Sequence, residues 1–263
     1  MNFDFNEEQT MIMDGIARYI REEYDFDRRR SIIDSDSACS DDVWRQFSEL
    51  GWLSIPFDES YGGFGGHADD LAGVMLELGK GLIIEPYMST VVVFGSLLNA
   101  SNNDSLKEQL IPRIINGQYK GSFAYAEEQS RFEISDVKTS AQKCGDGYKL
   151  NGTKIAVIDA KESDGLIVTA RTGGSQYGAE GISLFLVDTS AEGVAVSSYN
   201  TMDSHSSSTI NLENVFVTEA NLIVDEGEGF RHIESCLPKI LLCLSAEALG
   251  IMEVLNKLTV EYS

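Results

Sequence analysis

The stretch AEEQSRFEISDVKTS, residues 126–140, groups polar side chains whose types and spacing could do chemistry. Glu127 and Glu128 are adjacent carboxylates, which can transfer protons or accept hydrogen bonds. Arg131 can bind a phosphate or carbonyl oxygen through two parallel hydrogen bonds, and Ser135 supplies a hydroxyl. The stretch contains no glycine, although glycine is the residue that lets a backbone close around a phosphate or a flat ring.

Two further carboxylates, Glu234 and Glu247, fall on the last predicted helix. Glu247 borders an apolar face of that helix. The spacing offers no partner that would raise its pKa, which favours a surface or interhelical ion-pair role over proton transfer. The densest basic cluster is DRRR, residues 27–30. It could meet phosphates, but it is more typical of a solvated helix end with pairs to nearby acids.

Histidine and cysteine give no support for a metal site. The three histidines are scattered, and the four cysteines show no CxxC spacing. Cys236 and Cys243 are seven residues apart on a predicted helix, about 10 Å along its axis, which is too far for a disulfide. His232, at the start of that helix, is predicted to pack or cap rather than to bind a ligand.

Composition restricts the partners and the compartment. The net charge of -22 and the pI near 4.4 argue against nucleic acid and anionic membrane surfaces. The N-terminus has no basic and apolar signal-peptide regions, and no apolar run is expected to span a bilayer. A cytoplasmic protein without membrane or nucleic-acid partners is therefore predicted.

The period of the apolar residues changes twice along the chain. Residues 1–118 predict helices, with a capping box at Asn6 and a second helix that starts near Ser40. Residues 119–225 contain short β-rich runs, among them YKLNGTKIAVI and GISLFLVD, and Asn151-Gly152 is typical of a type I′ hairpin turn. Residues 226–263 return to helix. The pattern predicts an α+β protein with an all-helical domain, then an antiparallel β-barrel or sandwich, then one helix.

The last helix carries an apolar seam with three- and four-residue spacing, a pattern typical of a helical bundle. Its residues are Leu241, Leu244, Ala248, Ile251, Leu255 and Leu258. A single helix cannot bury such a seam alone. The seam is therefore expected either to pack on the N-terminal helices or to lack partners because the bundle is truncated after residue 263. The second alternative is favoured.

The order of these parts, and the residues within them, resemble the acyl-CoA dehydrogenase family. The segment WRQFSELGWLSIPFDESYGGFGG is similar to its N-terminal signature. The segments LNGTKIAVIDA, GISLFLVD and INLENVFVTEANLI, followed by GEGF, are similar to its middle domain. The closest resemblance is to the small subunit of the pimeloyl-CoA dehydrogenase type, through EPYMSTVVV, AEEQSRFEISDV and VTARTGG.

This resemblance implies FAD as cofactor and an acyl-CoA thioester as substrate. The implied reaction is α,β-desaturation, with electrons passed to an electron-transfer flavoprotein. Such chemistry requires a base for the α-proton and donors near the thioester oxygen, while the flavin supplies the electron sink. A homo- or hetero-oligomer with another acyl-CoA dehydrogenase subunit is also implied.

By the same resemblance, the opening stretch lies against the flavin and the thioester. The implied cofactor-binding residues are Tyr125, Ala126, Glu127, Ser135, Val157 and Ile158, and the implied substrate-binding residues are Arg131 and Ser135. Ala126 stands where the family commonly has Thr, and the loop after Glu127 is longer and lacks the family's glycines. For Arg131, an ion pair with Glu128 or Glu133 on a solvated loop is the alternative.

Residues 156 and 158 also depart from the family pattern. Ala156 stands where many members have an aromatic residue against the flavin, and Ile158 stands where they have Thr near N5. Backbone groups of Val157 and Ile158 could still bind the ring, because backbone donors do not depend on side-chain identity. Alternatively, these are strand residues that alternate between core and solvent. Lys154 could supply local positive charge, but the favoured expectation is that it faces solvent.

The catalytic base is unassigned. Some family members carry it ten residues before the position of Gly250, which here is Ile240, a residue that cannot accept a proton. Other members carry it at a position that would lie beyond Ser263. Two functions therefore remain open: a subunit of an acyl-CoA dehydrogenase, with weak or no turnover by this chain alone, or a non-catalytic partner subunit with a degenerate flavin site.

Overall fold

A computed structural model describes residues 5–35, 37 and 39–263, and it has the predicted α+β architecture. Residues 1–4, 36 and 38 of the predicted helical part lie outside the described residues. The chain forms helices, then a curled β half-barrel, then one long helix. The helices are α1 (Glu7–Glu23), α2 (Phe26–Ile33), α3 (Asp41–Glu49), α4 (Ala68–Lys80), a π-helix (Tyr87–Phe94), α5 (Gly95–Asn99), α6 (Asp104–Ile115) and α7 (Gly229–Tyr262).

The helix starts follow the sequence signals. Asn6 accepts a hydrogen bond from the backbone N–H of Gln9, and the Gln9 side chain accepts one from the backbone N–H of Asn6. This reciprocal pair is the predicted capping box at the start of α1. The Ser40 hydroxyl caps α3 by accepting from the Val43 N–H. Both predicted starts are confirmed.

The β domain is one seven-stranded sheet in the order β1-β4-β2-β3-β7-β6, with β5 paired to β4. Its strands are β1 (Gly121–Ala124), β2 (Ser140–Cys144), β3 (Gly147–Ile158), β4 (Gly165–Arg171), β5 (Ile182–Asp188), β6 (Val194–Asn200) and β7 (Ser206–Thr218). Most neighbours are antiparallel, as predicted. The structure adds a parallel pairing of β1 with β4, because the chain crosses to β2 and β3 between them.

Asn151-Gly152 does not form the predicted hairpin turn. Both residues lie inside β3, where the pairing with β7 shifts register between Leu150 and Gly152. A Cβ on Gly152 would collide with Thr139 of the neighbouring segment, so glycine is needed here for close backbone approach. An Asn-Gly pair at a bulge therefore has the same sequence signature as one at a turn.

Helix α7 crosses α4 at two glycines. A Cβ on Gly79 would collide with the carbonyl oxygen of Glu247, and a Cβ on Gly250 would collide with that of Leu76. The two backbones are therefore in contact, and Glu247 lies at the crossing point.

The apolar seam of α7 is not the face that packs on α4. Leu241, Leu244, Leu255 and Leu258 are all exposed, whereas Cys243 and Gly250 are buried. The alternative in which the seam packs on the N-terminal helices is therefore wrong for these four leucines. The close crossing requires small residues, and it leaves the larger apolar residues of the seam outside the contact between the two backbones.

The expectation that no apolar run could span a bilayer is wrong, because α7 is long enough and apolar enough to do so. Among the described residues, α7 contains an 18-residue window with mean hydropathy 1.5, of which 17% is buried. Because a helix at the core of a soluble protein passes the same test, this window alone does not place α7 in a membrane. The window is apolar because α7 has apolar residues both on its packed face and on its exposed seam.

Gly250→Ala is expected to lower the free energy of unfolding by about 1–3 kcal/mol, although alanine favours helix, because the added methyl group must push α4 and α7 apart. The matched control is Gly15→Ala in α1, where a Cβ would meet nothing within 4 Å. It should raise the free energy of unfolding by about 0.5–1 kcal/mol. Urea unfolding of both variants measures the difference. Equal effects of the two substitutions would contradict the close crossing.

Candidate functional site

The end of β1 and the end of β3 run side by side. The backbone N–H of Ile155 donates to the Ala126 carbonyl at 2.8 Å, and the Ser122 hydroxyl donates to the Ile158 carbonyl at 2.7 Å. The ladder between β3 and β7 is interrupted between Lys154 and Val157, so Ile155 and Ala156 form a bulge. This bulge is what brings the two predicted cofactor segments together.

Beneath the bulge lies a buried ion pair. Lys154 is 0% exposed, and its Nζ lies 2.7 Å from Oε1 of Glu127. The ammonium also donates to the Thr169 hydroxyl at 2.8 Å. The expectation that Lys154 faces solvent is therefore wrong: strand alternation points it inward, and Glu127 makes its burial possible.

Glu127 ties both ends of the opening loop together. Its carboxylate accepts from the backbone N–H groups of Lys138 at 2.8 Å and Thr139 at 3.0 Å, and from the Gln129 amide at 2.8 Å. Burial opposes its charge, but Lys154 and these donors outweigh burial and lower the pKa of Glu127 to about 2. Burial lowers the pKa of Lys154 to about 8, against the attraction of Glu127. The pair is therefore ionised at neutral pH.

Four residues above this pair form an accessible patch, which we call the strand-bulge surface: Tyr125, Ala126, Ala156 and Ile158. Tyr125 is 40% exposed and Ile158 is 56% exposed, while Ala126 is half-buried and Ala156 is exposed. Ala156 has a positive φ of 52°, which lifts the bulge out of the pleat. The side chain of Val157 points into the core, so only its backbone is available at this surface.

Among the described residues, no hydrogen bond or ion pair joins Ser135 or Arg131 to the strand-bulge surface. The Ser135 hydroxyl donates to Oε1 of Glu133 at 2.8 Å, and the Ser135 carbonyl accepts from Arg171 at 2.9 Å. Arg131 is exposed with a φ of 49°. Within the described part of the chain it forms no ion pair with Glu128 or Glu133, so that alternative is not supported. A ligand role for Arg131 stays a prediction.

Beside the strand-bulge surface is a cavity of about 320 Å³. Ile158 belongs to both, and the walls come from α2, α4, the π-helix, the β6–β7 link and α7. Its apolar lining includes Met75, Leu78, Tyr87, Met88, Leu244 and Ile251. A larger depression of about 720 Å³ is lined only by residues between Phe5 and Arg21, so it is the outer surface of α1 and its cap rather than a cleft between elements.

A polar cluster that sequence reasoning missed lines one side of this cavity. Asp159 accepts from the Ser89 hydroxyl at 2.6 Å, and its other oxygen lies 3.7 Å from Nδ1 of His205. The interaction with Asp159 raises the pKa of His205 despite burial. Asp159 follows directly after Ile158, but only the fold shows that Ser89 and His205 meet it.

Glu247 also lines the cavity, which corrects its interpretation as a surface or ion-pair residue. It is half-buried, and burial raises the pKa of its carboxyl, with His205 acting in the opposite direction. No hydrogen bond or ion pair to its carboxylate occurs in the described part of the chain. Glu234 is exposed, and Ile240 packs half-buried against the core of the helical domain.

The DRRR cluster lies in the first half of α2, where Asp27, Arg28 and Arg30 are exposed as predicted, but within the described chain its arginines form no ion pair with acids. Asp25 caps α2 by accepting from the backbone N–H of Arg28. Arg29 reaches across to the carbonyls of Leu82 at 2.7 Å and Asp203 at 3.0 Å. This guanidinium therefore links α2 to the rim of the cavity.

Lys154→Met is expected to cost about 3–5 kcal/mol in the free energy of unfolding, because it leaves the buried Glu127 charge without its cation. The double variant Lys154→Met/Glu127→Gln should cost less than the single one. Arg45→Met, at an exposed pair with Asp42, serves as the control and should change stability by less than about 1 kcal/mol. Urea unfolding tests the order. A single variant as stable as the double would contradict a charged pair.

The Glu127 pair also predicts the shape of acid unfolding. A carboxyl whose pKa is depressed by folding stabilises the folded state above its unfolded pKa, here 4.5, and loses this effect as pH falls towards about 2. Glu127→Gln should flatten the decline in stability across that window. Glu128→Gln, at an exposed neighbour, should keep the wild-type slope. Parallel slopes for both variants, measured by unfolding at several pH values, would refute the assignment.

Known proteins resemble this chain over nearly its whole length. The probable acyl-CoA dehydrogenase YngJ of Bacillus subtilis is 29% identical over 268 residues, covering 100% of this chain and 70% of YngJ. A solved structure of the electron transferring flavoprotein of Acidaminococcus fermentans has a TM-score of 0.90 at 27% identity and covers 100% of this chain and 70% of that one. The FAD complex of PigA, at 24% identity, has the same fold with a TM-score of 0.91 and the same coverage.

The chain spans between 59% and 70% of the length of its curated relatives. The model of the acyl-CoA dehydrogenase N-terminal domain matches residues 6–118, and the model of the acyl-CoA dehydrogenase middle domain matches residues 122–215. Together the two models cover well over half of the chain. By these matches, this chain belongs to the acyl-CoA dehydrogenase family.

Proposed function

We propose that this chain is a subunit of an FAD-dependent acyl-CoA dehydrogenase. The reaction is the α,β-desaturation of an acyl-CoA thioester, with electrons passed to an electron-transfer flavoprotein. In this proposal residues 1–118 form the helical domain, residues 119–225 the β domain and residues 226–263 the start of the C-terminal helical domain. The observation that carries the proposal is the strand-bulge surface, because it is apolar, accessible and continuous with a cavity through Ile158.

The residues of the strand-bulge surface fit a flat aromatic ring. Ile158 and Tyr125 offer apolar surface. Ala126 and Ala156 each add only a methyl group. The bulge leaves Ile155 and Ala156 outside the ladder with β7, and because the Ile155 N–H already donates to the Ala126 carbonyl, the backbone N–H of Ala156 is the one that can face a ligand there. Of the other predicted cofactor residues, Val157 can contribute only backbone, and Glu127 acts from beneath through its ion pair.

A bound flavin would supply the electron sink for the β-hydride. The chain's own residues have the task of placing the two reactants. The Glu127–Lys154 pair fixes the backbone under the ring, and the cavity beyond Ile158 receives the acyl group away from water. No base for the α-proton is assigned. Ile240 cannot accept a proton. Glu247 is a half-buried carboxylate that lines the cavity, but it is not assigned this role.

Partners follow from the same proposal. Electron-transfer flavoprotein is the proposed acceptor, because it is the acceptor that the family resemblance implies. A homo- or hetero-oligomer with another acyl-CoA dehydrogenase subunit is proposed as well. The closer likeness to the pimeloyl-CoA dehydrogenase small subunit depends on sequence motifs alone and stays a prediction, and it does not assign the acyl group of the substrate. A cytoplasmic location also stays a prediction.

A second function is favoured by the residues that replace polar family positions. Ala126 and Ile158 both lack a hydroxyl, and Ile240 lacks a carboxylate. A subunit with these residues could stabilise an active homologue without turnover of its own. The two functions differ in whether the flavin of this chain is reduced by acyl-CoA.

Titration of the purified chain with FAD, followed by absorbance, tests the proposal. We expect a shifted flavin spectrum, and a loss of FAD affinity of about tenfold or more in Ile158→Glu, because a buried charge would face the ring. Phe216→Glu, at a residue of β7 that is 47% exposed and does not line the cavity, should bind FAD like the wild type.

The same titration separates the two functions. Bleaching of bound flavin by an acyl-CoA would support the enzyme, and bound flavin that is never bleached would support the non-catalytic subunit. Absence of FAD binding, alone and with a homologous subunit, would overturn the proposed cofactor role.

A further inference from the structure

The cavity beside Ile158 is lined by more acids than bases. Carboxylates of Asp159, Asp203 and Glu247 line it together with Arg29 and His205. Glu85 also lines it, and burial raises the pKa of that carboxyl. Even with Glu85 neutral and His205 protonated, three carboxylates face two cations. The cavity therefore has a negative potential, in keeping with the acidic chain as a whole.

Most of these charges already have partners. Arg29 donates to two backbone carbonyls, and Asp159 accepts from Ser89 and lies against His205. Asp203 accepts from the hydroxyl of Thr201 and from the backbone N–H of His205. Glu247 differs, since its carboxylate has no hydrogen bond or ion pair within the described chain. Oε2 of Glu85 is likewise buried without a hydrogen-bond partner in the described chain, so Glu247 and Glu85 are the acids of the cavity that remain available to a ligand.

Ser206 gives a second and independent indication of a ligand. It is 1% exposed, it lines the same cavity, and its Oγ is one of the buried polar atoms without a hydrogen-bond partner in the described chain. A buried hydroxyl without a partner costs free energy comparable to a lost hydrogen bond. A ligand group that donates or accepts a hydrogen bond would satisfy the Ser206 hydroxyl, and only one that donates would also suit the Glu247 carboxylate.

We infer that this cavity accepts an acyl group that ends in an amine and discriminates against one that ends in a carboxylate. The inference rests on the proposed function, because it assumes that the acyl part of a thioester enters beside Ile158. The distal ammonium lies against the Glu247 carboxylate, with the Ser206 hydroxyl as a further acceptor. A terminal carboxylate would meet Glu247, Asp159 and Asp203 in a partly desolvated site, where like charges repel strongly.

Calorimetric binding of three CoA thioesters to the FAD-saturated chain tests this inference. The thioesters are ω-aminohexanoyl-CoA, hexanoyl-CoA and adipoyl-CoA, which share a six-carbon acyl chain and differ at its end. We expect the amino thioester to bind about tenfold more tightly than hexanoyl-CoA, because it gains one charged hydrogen bond. We expect adipoyl-CoA to bind about tenfold more weakly than hexanoyl-CoA, because its terminal carboxylate is repelled by the acids of the cavity.

Glu247→Gln keeps the shape of the side chain and should remove most of the preference for the amine. Glu234→Gln is the matched control, because Glu234 is an exposed glutamate of the same helix outside the cavity, and it should keep the preference. If hexanoyl-CoA binds, any of three results would overturn the inference. These are equal binding of the three thioesters, tighter binding of adipoyl-CoA, and an unchanged preference for the amine in Glu247→Gln. Failure of all three to bind would overturn the proposed function itself.

Discussion

The buried ion pair between Lys154 and Glu127 is the interaction on which the rest of the candidate site depends. Moving two charges out of water is costly, and their attraction offsets that cost only with good geometry and further hydrogen bonds. Here the Thr169 hydroxyl accepts a hydrogen bond from the Lys154 ammonium, and three N–H groups donate hydrogen bonds to the Glu127 carboxylate. One pair thereby joins β3, β4 and both ends of the opening loop. Because a shift of any of these elements would weaken contacts to a buried charge, the pair holds in place the backbone beneath the strand-bulge surface.

A second constraint, the crossing of α4 and α7, shapes the other wall of the site. Two glycines let the helix backbones touch, so Glu247 comes directly over α4 and beside the cavity. Asp159 then links the β domain to the π-helix through Ser89. A π-helix is rare, and it is often found at functional sites. The cavity thus lies where α2, α4, the π-helix and α7 meet the β domain, and its polar groups are held by the packing of those elements.

Local signals predicted local structure well, and contacts between distant segments poorly. The caps at Asn6 and Ser40, the change from helix to β runs and the long last helix all follow from patterns within a few residues. Residue type predicts that Lys154 faces solvent, because no signal near it in the sequence shows that Glu127, 27 positions earlier, lies on the facing segment. Asn151-Gly152 was assigned to a turn, because a bulge has the same local signature. The cluster of Ser89, Asp159 and His205 joins three segments, and no spacing rule connects them.

The central claim is that the flavin ring lies on the strand-bulge surface, between the ion pair beneath it and the cavity beside it. Amide hydrogen exchange of the chain with and without FAD tests this claim most directly, since it locates the contact without assuming turnover. We expect slower exchange on FAD addition in the segments around Tyr125–Glu127 and Ile155–Ile158, and no change around Leu255 and Leu258, which are exposed on α7 and do not line the cavity. FAD binding that leaves both of these segments unchanged would contradict it.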